Sequence, residues 1–165
     1  MRKVFSVVLL LVASAASAQT LSPPVIEAKA AKPGKFAKTQ ITVTNNSLLP
    51  EAVTITPKSM NVFKDGTWSR RTLDPDINVR LSEASFRLPA KQSRIVYIDV
   101  QCVKYPCNVA VVANFAGTHN DEGLAVEFHI GAALYLCEKD VNHCRDTFRK
   151  KTWNLEPTPP TSSQQ

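Results

Sequence analysis

Four cysteines, at 102, 107, 137 and 144, carry the most definite chemistry in the sequence. Four thiols allow three pairings. Cys102 with Cys107 and Cys137 with Cys144 are each close in sequence, and each pair brackets a turn. Pro106 bends the first turn and Asn142 sits in the second. These two local disulfides are the expected pairing, each contributing about 2 kcal/mol on the chain-entropy account. The competing chemistry is zinc, with His143 beside Cys144 as a further ligand. The C-x4-C and C-x6-C spacings do not match the C-x2-C knuckle of structural zinc sites. An oxidising compartment also consumes free thiols. No metal and no cofactor is expected.

The three histidines are 119, 129 and 143. His129 stands two residues from Glu127 on the same face of a strand. A surface pair is favoured there over an acid–base or metal pair. His119 lies in a polar loop beside Asp121 and Glu122, where a solvated loop is favoured over a cation site. Asn45-Asn46-Ser47 matches the N-x-S acceptor pattern and equally the turn after a strand. No G-x-S-x-G, H-E-x-x-H, P-loop or dinucleotide fingerprint occurs. With no nucleophile, base and oxyanion donor arranged together, an enzyme is not expected.

The thiol chemistry depends on the compartment, and the N-terminus speaks to that. Arg2 and Lys3 precede an apolar run from Val4 to Val12. Ala16-Ser17-Ala18 fits the A-x-A cleavage pattern. Residues 1–18 therefore read as a secretory signal peptide, giving a periplasmic or secreted product. The run is shorter than the ~20 residues that span a bilayer. Removing Arg2 and Lys3 takes two positive charges from the formal +6, leaving +4. A nucleic-acid role loses its support, since that charge is ordinary for an exported protein. No other apolar run approaches membrane-spanning length, so stable membrane insertion is not expected.

The elements that position these residues read as strands. Ile41 to Thr44 alternates before the turn Asn45-Asn46-Ser47. Ala52 to Thr56 alternates and stops at Pro57. Met60 to Phe63 ends at the hairpin signal Asp65-Gly66. Residues 69–78 read as a polar loop. Phe86 and Leu88 precede Pro89, and Ile95 to Val100 forms a strong strand. Val109 to Phe115 is nearly continuous apolar, as in a strand covered on both faces. Leu124 to Leu136 is the longest candidate. About seven strands separated by turns predict an all-β sandwich over 19–136. A Cys-containing basic segment follows over 137–156, including Arg145, Arg149, Lys150, Lys151 and Trp153. A disordered Pro/Ser/Thr/Gln tail closes the chain over 157–165.

The order of features resembles the N-terminal immunoglobulin-like domain of PapD-type periplasmic pilus-assembly chaperones. The resemblance rests on Lys32-Pro33-Gly34 before a strand ending Val43-Thr44-Asn45-Asn46-Ser47, then Phe86-Arg87-Leu88-Pro89-Ala90-Lys91-Gln92 before the strand Ile95 to Val100. The last strand ends Leu134-Tyr135-Leu136. The resemblance implies an immunoglobulin-like, PapD-like β-sandwich. It also implies strand addition to an extracytoplasmic protein subunit whose sheet is incomplete or edge-exposed. Leu124, Val126 and Phe128 match the donating side chains. The family's basic carboxylate anchor maps onto Lys29 or Lys32 of the first strand, but its last-strand Lys aligns with Ala133. The segment after Leu136 is also too short for the second domain of a classical chaperone. The alternative role is a structural or adhesion-type domain of a cell-envelope assembly.

Overall fold

The computed structural model describes residues 19–62, 68–117 and 127–145. Residues 1–18, read above as a signal peptide, His119, Leu124, Val126, Asp65-Gly66, Arg149 to Trp153 and residues 157–165 lie outside these residues. The described strands are β1 (Thr20–Ser22), β2 (Val25–Ala30), β3 (Ala37–Thr44), β4 (Glu51–Val62), β5 (Trp68–Arg71), β6 (Ile77–Leu81), β7 (Ser85–Leu88), β8 (Ser93–Cys102), β9 (Cys107–Gly117) and β10 (Glu127–Glu138). They form the expected all-β, immunoglobulin-like sandwich. One sheet runs β1-β3-β8-β6. The other runs β2-β10-β9-β4-β5, with β7 also paired to β4.

The core follows from alternation. Ile41, Val43, Val96, Ile98 and Val100 of the first sheet face Val53, Val109, Val111, Phe115, Leu134 and Leu136 of the second, all buried. β9 is covered on both faces, as its apolar run predicts. Its odd residues enter the main core, and Ala110 and Val112 pack outside with Met60, Ala133 and Tyr135. No described helix is long and apolar enough to cross a membrane.

The structure holds ten strands among the described residues, where seven were expected, and the differences have local causes. Residues 69–78 are not one loop, since β5 and β6 take both of its ends. β5 is exposed along its whole length, so it shows no inward apolar face to read. β6 alternates half-buried Ile77, Val79 and Leu81 with exposed Asn78 and Arg80. Pro57 does not stop its strand. The Ile55 N–H donates to the Ala84 carbonyl at 2.7 Å. Alternation therefore turns the Pro57 nitrogen to the same side, between the end of β7 pairing at Thr54 and the start of β5 pairing at Ser59. A residue without an N–H sits there at no cost to the ladder.

Two disulfides close the ends of the second sheet. Cys102 is bonded to Cys107 with Cα atoms 6.6 Å apart, joining β8 to β9 across the sandwich. Cys137 is bonded to Cys144 with Cα atoms 5.4 Å apart. The latter bond ties the turn after β10 back onto β2, where the buried Cys144 sulfur lies 3.7 Å from the Ala28 carbonyl. The β8–β9 loop is held further by Tyr105, whose hydroxyl donates to the Lys32 carbonyl at 3.1 Å. Burial, and secondarily the Glu138 carboxylate, push the Tyr105 phenol above its ordinary range, keeping it a donor. Replacing both Cys137 and Cys144 by Ser is expected to lower stability by about 2–3 kcal/mol. A urea titration reads this as a lower midpoint.

Candidate functional site

β10 is the last described strand. β9 pairs with it antiparallel along Glu127 to Leu136. On its other edge β2 pairs with it in parallel, but only from Ala133 to Glu138. The cause is in the sequence. Pro23 and Pro24 lie where the chain leaves β1 in the first sheet and enters β2 in the second. Two adjacent prolines cannot both extend the ladder. The Pro24 carbonyl accepts the Ala133 N–H at 2.9 Å, and pairing begins there.

Among the described residues, the edge from Glu127 to Ala132 is therefore unpaired. The Ala133 N–H points toward β2, so alternation turns the backbone groups of Gly131, His129 and Glu127 to that same open edge. Such an edge is a template for another strand.

The side chains are arranged to match. Phe128 shares its face with Ile130, Ala132, Leu134 and Leu136. The last two are fully buried, while Phe128 is 46% exposed. Exposure thus rises along one face of one strand toward the open edge. Phe128 is brought to the edge as an apolar side chain that the core does not enclose. Leu124 and Val126, its companions in the sequence reading, lie outside the described residues.

The opposite face of β10 is polar at the same place. His129 Nδ1 lies 2.6 Å from Asn114 Oδ1, its register partner on β9. Its Nε2 lies 3.7 Å from Glu127, with both side chains exposed. The expected surface pair of His129 thus has Asn114 as its nearer member. Thr56, Lys58, Arg70, Asn114 and His129 line a shallow groove on this face. Arg70 lies over the Trp68 ring at 5.3 Å. Among the described residues no group of three or more His, Cys, Asp or Glu is placed to hold a metal.

The basic residues matched to a carboxylate anchor are not at this edge. Lys29 is in register with Cys137, and its Nζ reaches the Asn142 carbonyl at 3.5 Å. Lys32 is exposed in the turn after β2. The residue opposite Ala133 is Val25, 40% exposed, and Glu27 is opposite Tyr135. No Lys or Arg of β2 faces Ala133.

Asn45 is not available as a sugar acceptor. It is fully buried, and its amide nitrogen donates to the carbonyls of Leu49, Leu88 and Pro89 at 2.8–3.2 Å. The turn reading of Asn45-Asn46-Ser47 describes it, since Asn45 Oδ1 accepts from the Ser47 N–H at 2.9 Å. Sequence reasoning missed the pairing of Gln19 with Glu51, both buried and polar. Neither residue sits in a motif.

No protein-family model and no curated protein matches the sequence. Solved structures do match its fold. The E. coli chaperone DraB is 16% identical, covering 81% of this chain and 61% of that one, with a TM-score of 0.53. A chain of the Salmonella enterica SafA pilin–SafB chaperone complex is 15% identical, covering 76% and 57%, with a TM-score of 0.54. A chain of the Acinetobacter baumannii CsuC–CsuE chaperone–tip adhesion subunit pre-assembly complex is 10% identical, covering 81% and 65%, with a TM-score of 0.52. This chain spans about three fifths of the length of these structures. What it shares with them at this identity is the PapD-like sandwich fold.

Proposed function

We propose that this chain is an exported binding module that holds an extracytoplasmic protein by adding a strand at the Glu127–Ala132 edge of β10. The observation that carries this reading is the unpaired edge with half-exposed Phe128 beside it. Ladder hydrogen bonds from Glu127, His129 and Gly131 supply affinity, and Phe128 supplies an apolar contact with the guest sheet. The fold likeness to chaperones supports the same reading. Without a basic residue opposite Ala133, the guest is held by its strand and apolar contacts rather than by its terminal carboxylate. Export rests on Arg2, Lys3, the apolar run and Ala16-Ser17-Ala18.

A photo-crosslinking residue at 128, used in cells, tests the site. The expected product is one exported protein joined at that position, and its loss in His129→Pro. Proline at 129 removes one open-edge N–H without touching the β9 ladder, and proline is tolerated on edges. His129→Ala controls for the lost imidazole and is expected to retain the product. Crosslinks only to copies of this chain, or a product indifferent to proline, would overturn the reading.

A further inference from the structure

Glu51 opens β4 and is only 5% exposed. One carboxylate oxygen accepts a hydrogen bond from the Gln19 side-chain amide. Among the described residues the other, Oε2, is buried with no hydrogen-bond partner. Burying a carboxylate is unfavourable unless it is paired and hydrogen-bonded. Extended by one residue, the β1–β3 register brings Asn45 beside Gln19, but Asn45 is already engaged with Leu49, Leu88, Pro89 and Ser47.

The sequence supplies a donor at this place. The small-residue pattern Ala16-Ser17-Ala18 ends at the bond before Gln19. Hydrolysis of that bond replaces a neutral backbone amide by an ammonium, with three donors and a full positive charge. The new group is on the residue whose side chain already holds the first oxygen of Glu51. We propose that the α-ammonium created at Gln19 by removal of residues 1–18 pairs with Glu51 Oε2. Gln19 then clamps both oxygens, one through its carboxamide and one through its terminus.

The clamp has a structural consequence. Two residues on, Leu21 is buried in the core, and Thr20–Ser22 pairs with β3. Fixing Gln19 fixes β1, an element that touches β10. Maturation in this way completes the fold as well as releasing the protein. The inference rests on the export reading for its occurrence in the cell, but not for the chemistry of the clamp.

An N-terminal glutamine has a competing fate. Its α-nitrogen can attack its own Cδ, forming a lactam C–N bond while Nε2 leaves as ammonia. The lactam has no ammonium. An ammonium held on Glu51 Oε2 has no lone pair with which to attack Cδ, so the clamp keeps the mature terminus open.

The test compares chains cut from a cleavable fusion to begin at Gln19 or at Ala18, each with Glu51 or with Glu51→Gln. The Gln19-first protein is expected to melt about 5 °C above the Ala18-first protein, and the gap is expected to vanish with Glu51→Gln. Equal melting of the two Glu51 proteins, or an unchanged gap with Glu51→Gln, overturns the clamp. Should Glu51→Gln fail to fold, amine acylation decides. A terminus at Gln19 should react several-fold more slowly than one at Ala18, and equal rates overturn the pairing. The mass of the exported protein then separates the two ideas. A chain starting at Gln19 with an open glutamine supports both, and one lighter by ammonia overturns the clamp. A start elsewhere overturns the processing at Gln19, whatever the melting shows.

Discussion

Phe115→Ala is expected to lower the free energy of unfolding by about 3–5 kcal/mol. Phe115 is fully buried in the middle of the second sheet. Its register partners are Val53 on β4 and Phe128 on β10. Truncation removes a large apolar side chain and leaves a cavity between two sheets that cannot close independently. A domain of this size has roughly 5–15 kcal/mol in all, so this variant approaches the unfolding threshold. Phe128→Ala is the informative comparison. It removes the same atoms from the residue directly across the ladder, yet Phe128 is 46% exposed. Its expected loss is about 1 kcal/mol or less. Urea titrations with unchanged slopes read both values. Equal losses would place Phe128 in the core and remove the apolar half of the proposed site.

The contrast between these two phenylalanines shows what a sequence can display. Alternation marks both as facing inward, and for Phe115 that is the whole account. For Phe128 the deciding fact is where β2 begins to pair. That pairing joins Val25 to Ala133 and Ala30 to Glu138, in parallel, across more than a hundred residues. No local pattern carries it. The Pro23-Pro24 step was visible, but its effect on β10 was not. The strands with strong local signals, alternation in β3 and β8 and a continuous apolar run in β9, were legible for the opposite reason. Their side chains pack on neighbours whose own alternation repeats the signal. The return of the chain at Trp68 after the Asp65-Gly66 hairpin signal is legible and pairs with β4, but the rest of β5 reads as loop because it buries nothing. The disulfides were legible because each joins residues five or seven apart, where chain geometry leaves few other partners.

The Lys29 and Lys32 assignment depended on register, which alternation does not give. A shift of a few residues along β2 decides whether a basic side chain meets Ala133 or Cys137. The structure puts Lys29 at Cys137. Val25 is the residue it leaves opposite Ala133.

Asn45→Ala is the second large effect expected, at about 3–4 kcal/mol. Asn45 follows β3 and is fully buried. Its amide nitrogen serves the carbonyls of Leu49, Leu88 and Pro89, and its Oδ1 serves the Ser47 N–H and hydroxyl. One side chain thus joins the β3–β4 turn to the end of β7. Alanine leaves several of those groups buried without partners, and that is where the cost arises. Asn45→Asp sharpens the point, because it keeps the size and the Oδ1 acceptor. It replaces the donating nitrogen with a charged oxygen facing three carbonyl oxygens. If donation to those carbonyls is what matters, Asp is expected to destabilise at least as much as Ala. A milder loss for Asp would mean that the Ser47 contacts dominate. Thermal and urea unfolding of the two variants, measured side by side at neutral pH, decide between them.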